Sequence, residues 1–167
     1  MVQATDGNLY GTTAEGGANE DDGGTVFKIT LNGKLTRLYS FCSRGGSRCT
    51  DGLSPDASLV QGTNGTFYGT TETGGANHDG TVFSLSAGLA PVVETLPASG
   101  KVGTAVKILG SDLTGTTSVT FNGVAATFTV ASASEIETAV PTGATTGQVQ
   151  VVTPGGKLSS NVNFRVP

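Results

Sequence analysis

The side chains of this 167-residue chain that could do chemistry are few: two cysteines, one histidine, one acidic run and a pair of tyrosines in matching contexts. Cys42 and Cys49 enclose the Gly-rich segment Ser43-Arg44-Gly45-Gly46-Ser47-Arg48, which is flexible enough to bring the sulfurs together. A disulfide closing so short a loop would contribute about 2–3 kcal/mol. Two free thiols are the alternative, which a reducing compartment would favour. Neither a CxxC redox spacing nor a paired zinc-ligand spacing is present. The run Glu20-Asp21-Asp22 offers hard oxygen ligands, but it lacks the alternating carboxylate spacing of a calcium loop and reads as a solvated hairpin tip. His78 stands without triad partners, no Ser lies in Gly-x-Ser-x-Gly, and no Gly-rich turn opens a helix with Gly-Lys-Ser/Thr. The expectation is a chain with no catalytic residue, no cofactor and no metal, hence not an enzyme.

Two further candidates concern sugars. Tyr10 and Tyr68 are expected to be exposed, where aromatic rings on a sheet surface can stack on a saccharide; the competing reading is an aromatic that covers a neighbouring sheet. Asn64-Gly65-Thr66 is a glycosylation sequon, and also a plain turn.

The elements that must hold these residues follow from composition. With 26 Gly, no Trp and only 13% charged residues, the chain is built from turn and strand formers, and an all-β fold is expected. Its net charge of -4 argues against nucleic acid, which needs clustered Lys and Arg. No apolar run approaches the roughly 20 residues of a membrane helix, so no membrane insertion is expected. Charge is uneven: up to Ala90 there are five basic and nine acidic residues, and beyond it four of each. This step points to two modules meeting near Ala87-Gly88-Leu89-Ala90-Pro91.

The first module repeats itself. Val2-Gln3-Ala4-Thr5-Asp6-Gly7-Asn8-Leu9-Tyr10-Gly11-Thr12-Thr13 returns 58 residues later as Val60-Gln61-Gly62-Thr63-Asn64-Gly65-Thr66-Phe67-Tyr68-Gly69-Thr70-Thr71. Gly16-Gly17-Ala18-Asn19 and Gly24-Thr25-Val26-Phe27 also recur, with the second copy shortened by two residues between them. Asp6-Gly7 and Asn32-Gly33 read as two-residue hairpin turns, flanked by strands over 2–5, 9–13, 26–31 and 35–41. Four strands in about 58 residues is the stride of a propeller blade. The Asp6-to-Thr13 run, the Gly-Gly pair, Gly24-Thr25-Val26-Phe27-Lys28-Ile29 and Leu38-Tyr39-Ser40-Phe41 resemble the GloVer tandem repeat of large bacterial surface or secreted proteins, over residues 1–85. The resemblance implies an extracellular, repetitive and non-catalytic architecture.

The second module carries seven short strand patterns, at 92–96, 105–109, 118–121, 125–130, 135–140, 148–153 and 162–166, which read as an Ig-like sandwich with Ile108, Phe121, Val140 and Val151 pointing inward. Pro97, Gly103, Gly110, Val119-Thr120-Phe121-Asn122-Gly123, Val140-Pro141 and Val149-Gln150-Val151-Val152 before Pro154-Gly155-Gly156 resemble the IPT/TIG family, whose members serve as interaction and spacer domains. The expected organisation is therefore a two-copy repeat domain over 1–87, a linker over 88–91 and an Ig-like IPT/TIG domain over 92–167. The expected function is a structural, self-associating part of a bacterial extracellular or cell-surface protein. Copies of the chain would join head-to-tail, with Val2, Gln3, Ala4 and Thr5 as a donor strand for the next copy. The other reading is a carbohydrate-binding or spacer module in a larger secreted protein, with glycans as partners.

Overall fold

A computed structural model of the chain describes residues 1–18, 22–43 and 49–167. The fold is all-β: among the described residues every regular element is a strand and every strand pairing is antiparallel. The chain divides into two compact units, Met1–Leu89 and Ala90–Pro167.

In the first unit, β1 (Val2–Gln3), β2 (Leu9–Thr13), β3 (Thr25–Ile29) and β4 (Leu35–Ser40) form a four-stranded sheet in that order. The second copy builds β5 (Val60–Gln61), β6 (Thr66–Thr71) and β7 (Thr81–Ser86) into a three-stranded sheet, so β7 is an edge. The first hairpin turn differs from the expected two-residue type. Gly7 N–H donates to the Ala4 carbonyl at 2.9 Å and Ala4 N–H to the Asn8 carbonyl at 2.9 Å, and of Asp6 and Gly7 only the glycine has positive φ, at 80°. This is the longer loop in which a turn is followed by a left-handed glycine and a bulge. The same pair of bonds closes the turns at Gly33 and Gly65, so Asp or Asn before the glycine is not asked to adopt positive φ. Its side chain instead accepts from the backbone two residues on, Asp6 from Asn8 at 3.1 Å and Asn64 from Thr66 at 3.0 Å.

Glycine is required at one further place in each copy. Gly11 pairs with Phe27 across the ladder and Gly69 with Phe83. In both pairs the Phe ring lies over the glycine, where an added Cβ would come within 2.7 Å and 2.5 Å of the ring Cζ. Paired threonines fasten the far end: the Thr13 and Thr25 hydroxyls are 2.9 Å apart, and those of Thr71 and Thr81 are 3.0 Å apart. The core of the unit is Ala4, Tyr10, Val26, Phe41, Leu59 and Phe67.

The segment expected to leave as a donor strand is tied down in its own chain. Val2 and Gln3 pair with Tyr10 and Leu9, Ala4 is buried, and Thr5 exchanges two hydrogen bonds with the Gln61 side chain, at 3.0 and 2.9 Å. Serving another copy as a donor strand would require this segment to leave that ladder and expose Ala4.

The second unit has β8 (Glu94–Leu96), β9 (Ala105–Leu109), β10 (Ser118–Phe121), β11 (Val124–Ala125), β12 (Phe128–Ser132), β13 (Glu135–Ala139), β14 (Val149–Thr153) and β15 (Gly156–Ser159). They form two four-stranded sheets, β11-β10-β14-β15 and β12-β13-β9-β8. Ile108, Phe121, Val140 and Val151 all lie in the shared core, and Phe121 meets Phe164 edge-on at 5.1 Å. Two patterns came out differently. The run 125–130 is split at Ala126-Thr127, where the chain passes from one sheet to the other; and residues 162–166 make only isolated bridges, Gly147 to Phe164 and Ser99 to Arg165. The strand after Pro154-Gly155 has too little apolar alternation to be read from sequence, since only Leu158 of β15 is buried.

Phe121 is 1% exposed at the centre of this core. Replacing it with Ala should cost about 3–5 kcal/mol, read from the shift of the urea unfolding midpoint of the full chain. A loss under about 1 kcal/mol would mean the ring does not sustain the packing.

Candidate functional site

The chemistry-bearing residues of the first unit gather on the two faces of its sheets. Period-2 alternation puts Val2, Tyr10 and Val26 on one face of the first sheet and Leu9, Phe27 and Ile29 on the other. The second sheet places Val60, Tyr68 and Val82 on one face and Phe67, Phe83 and Leu85 on the other. The sheets pack through unlike faces: Tyr10 stacks on Phe67 with ring centroids 4.3 Å apart and a 30° tilt.

Tyr10 is therefore wholly buried, as an aromatic that covers a neighbouring sheet, and is not an exposed stacking platform. The neighbouring sheet occupies the space a sugar ring would need. Its hydroxyl donates to Asp6 Oδ2 at 3.0 Å, and the same carboxylate accepts from Lys28 Nζ at 3.0 Å and Asn8 Nδ2 at 2.7 Å. The Lys28 ammonium also lies 5.4 Å from the Tyr10 ring centroid. Burial pushes the Asp6 carboxyl up, but bonds from Asn8, Lys28 and Tyr10 outweigh it and hold the group down at about 2. Burial, together with the nearby Asp6, raises the Tyr10 phenol, while the Asp6 bond raises the Lys28 ammonium.

Tyr68, the second-copy counterpart, is 39% exposed. Its hydroxyl accepts from Asn64 Nδ2 at 2.9 Å. Asn64 is exposed, and the amide nitrogen that would carry a glycan is already bonded to this phenol.

Elsewhere in the unit, Cys42 and Cys49 form a disulfide, with Cα atoms 4.3 Å apart. Residues 44–48 between them lie outside the described residues, as do Glu20 and Asp21 of the acidic run. Asp22 accepts from the Gly16 N–H at 2.7 Å and serves its own loop. Beside the disulfide, Asp51 Oδ2 accepts from the Tyr39 hydroxyl at 2.8 Å and from Ser43 N and Oγ at 3.2 and 3.1 Å. Burial raises the Asp51 carboxyl, yet these bonds leave it below its ordinary value. A cavity of about 220 Å³ lies between Asp51 and the apolar Val26, Tyr39, Phe41, Phe83 and Leu85, along the open edge of β7.

Among proteins of known family, the model of the Gloeobacter/Verrucomicrobia repeat matches residues 1–136. The chain belongs to the Gloeobacter/Verrucomicrobia repeat family. No curated protein matches it. The repeat match runs beyond residues 1–85, where the sequence resemblance was drawn, and past Leu89 into the second unit.

Within this Gloeobacter/Verrucomicrobia repeat, the residues missed from sequence were Phe67 as the partner of Tyr10, Lys28 and Asp51. The signal for the first was present. Aligning the copies puts Tyr68 opposite Tyr10 and Phe67 opposite Leu9, and alternation then assigns the two aromatics to opposite faces.

The Asp6 cluster generates a pH dependence. Its folded carboxyl sits near 2 against an ordinary 3.8, so its stabilisation is complete above pH 4 and is lost as pH falls from about 4 to about 2. Its side chain is 24% exposed, and solvent screening reduces the expected contribution to about 1 kcal/mol. Asp6→Asn should lower the unfolding free energy at pH 7 by that amount, and the gap to the wild type should close as pH falls through about 2. An equal gap at both pH values would contradict the assignment.

Proposed function

We propose that this chain is a non-enzymatic, extracellular structural protein of the bacterial surface that associates with other copies of itself. The observation that carries the reading is the way the two copies of the repeat pack: one sheet covers its neighbour through unlike faces, leaving an outward face on each sheet. Units of this kind gain stability by adding neighbours, and exposed faces of sheets with apolar side chains are sites of association. The Cys42–Cys49 disulfide supports an oxidising location. For the second unit, two four-stranded antiparallel sheets around one core support the IPT/TIG resemblance and a role as spacer or interaction domain.

A second reading, a carbohydrate-binding module, is favoured by Tyr68 alone. Its ring is partly exposed with Ser84 beside it across the ladder and Asn64 bonded to its hydroxyl, which is a ring-stacking surface flanked by polar groups.

Light scattering of the full chain over a wide concentration range separates the two. Self-association predicts a molar mass that rises with concentration in the absence of sugar. A constant monomer mass, together with glycan-array binding abolished by Tyr68→Ala, would replace it with the carbohydrate reading. A monomer that binds no glycan would contradict both.

A further inference from the structure

We infer that the Val60, Tyr68 and Val82 face of the second sheet docks the Leu9, Phe27 and Ile29 face of a second copy of this chain, repeating between molecules the packing that joins the two sheets within one. The inference rests on the self-associating reading and specifies its surface.

The molecule contains its own template for this contact. Val26 is 0% exposed because the second sheet covers it, whereas its counterpart Val82 is 80% exposed. The same comparison holds for Tyr10 at 0% and Tyr68 at 39%. On the other side of the contact, Phe67 is wholly buried against the first sheet, while its counterpart Leu9 is only half-buried, and Leu35, paired with Ile29 on the same face, is 64% exposed. Each sheet thus shows solvent the face that its counterpart buries. The chain carries counterparts of both faces, a Tyr face and a Leu/Phe face, at opposite sides of the stacked pair, with Gly62 where the internal contact has Ala4 and no strand matching β4 on the second sheet.

Composition of the outer face argues in the same direction. Where the rim of the internal seam holds the charged pair Asp6 and Lys28, the outer face has Asn64 and Ser84, both neutral. The Tyr68 face therefore brings no charge from these two positions to the contact, and the opposing face brings Arg37, exposed beside Phe27, whose long side chain can keep its guanidinium at the rim. The internal contact also has a polar register. Within the chain, Gln61 Nε2 donates to Thr5 Oγ1 at 2.9 Å and Gln61 Oε1 accepts from Thr5 N–H at 3.0 Å, which pins one sheet's turn to the next. Their counterparts are Gln3, exposed on β1, and Thr63. Because the two faces are unlike, the contact is head-to-tail, and it extends to a ring or a filament according to its rotation.

Sedimentation velocity of the full chain tests this with Val82→Glu and Leu35→Glu, two exposed positions on opposite faces. Circular dichroism checks that both variants keep the wild-type fold. The wild type should associate with rising concentration, and each variant alone should associate at least about 100-fold more weakly, since each sets a carboxylate among apolar side chains. An equimolar mixture of the two should restore one-to-one dimers and nothing larger, because each variant retains the face the other lacks. Wild-type association left unchanged by Val82→Glu would overturn this inference while leaving self-association intact. A wild type monomeric at the highest concentration would overturn both.

Discussion

The Tyr10 ring packs on the Phe67 ring with centroids 4.3 Å apart, and the arrangement of the first unit depends on that contact. Neither sheet can bury an apolar face alone, since three or four short strands make a single layer. The stack resolves this by giving each sheet the other as its second layer. It also sets the phase. With Tyr10 turned inward, Val2 and Val26 follow it, and Leu9, Phe27 and Ile29 turn outward. With Phe67 turned inward, Phe83 and Leu85 follow, and Val82 is left in water. Much of what surrounds the stack holds it in place: Asp6 anchors the Tyr10 hydroxyl, Lys28 bridges Asp6 and the ring, and Thr5 and Gln61 join the flanking turns.

This constraint accounts for why the polar residues near Tyr10 do structural work in the proposed role. A carboxylate, a phenol and an ammonium within hydrogen-bond reach resemble the parts of an acid-base site. Here the carboxylate is held ionised near 2 and both partners are raised, so each group is stabilised in the protonation state it already has at neutral pH. Proton transfer needs groups poised near the working pH, and this cluster is displaced from it in every member. The arrangement serves a fixed turn better than a reaction.

The all-β class, the repeat and the turns were legible because they depend on local signals: Asp-Gly and Asn-Gly pairs, alternation, and a long self-match. The inward set Ile108, Phe121, Val140 and Val151 was legible for the same reason. What failed was relational. Tyr10 and Tyr68 have the same neighbours in sequence, yet one is buried and the other partly exposed, because burial depends on which sheet lies on which face. The turn type was misjudged since Asp6-Gly7 suits both a two-residue loop and the wider glycine-bulge loop, and the backbone bonds of Ala4 decide between them. Asp51 gave no signal, because its partners Tyr39, within β4, and Ser43, beyond it, lie 12 and 8 residues away in sequence and meet it only through the loop's folded path.

The central claim is that unlike faces of successive repeats hold each other through Tyr10 and Phe67. A double-mutant cycle on Tyr10→Leu and Phe67→Leu, read by urea unfolding of the full chain, tests it most directly. The account predicts a coupling of about 0.5–1.5 kcal/mol beyond the sum of the single losses, the range found for stacked aromatic pairs. Additive losses, with coupling under about 0.3 kcal/mol, would show that the two rings do not act on each other and would contradict it.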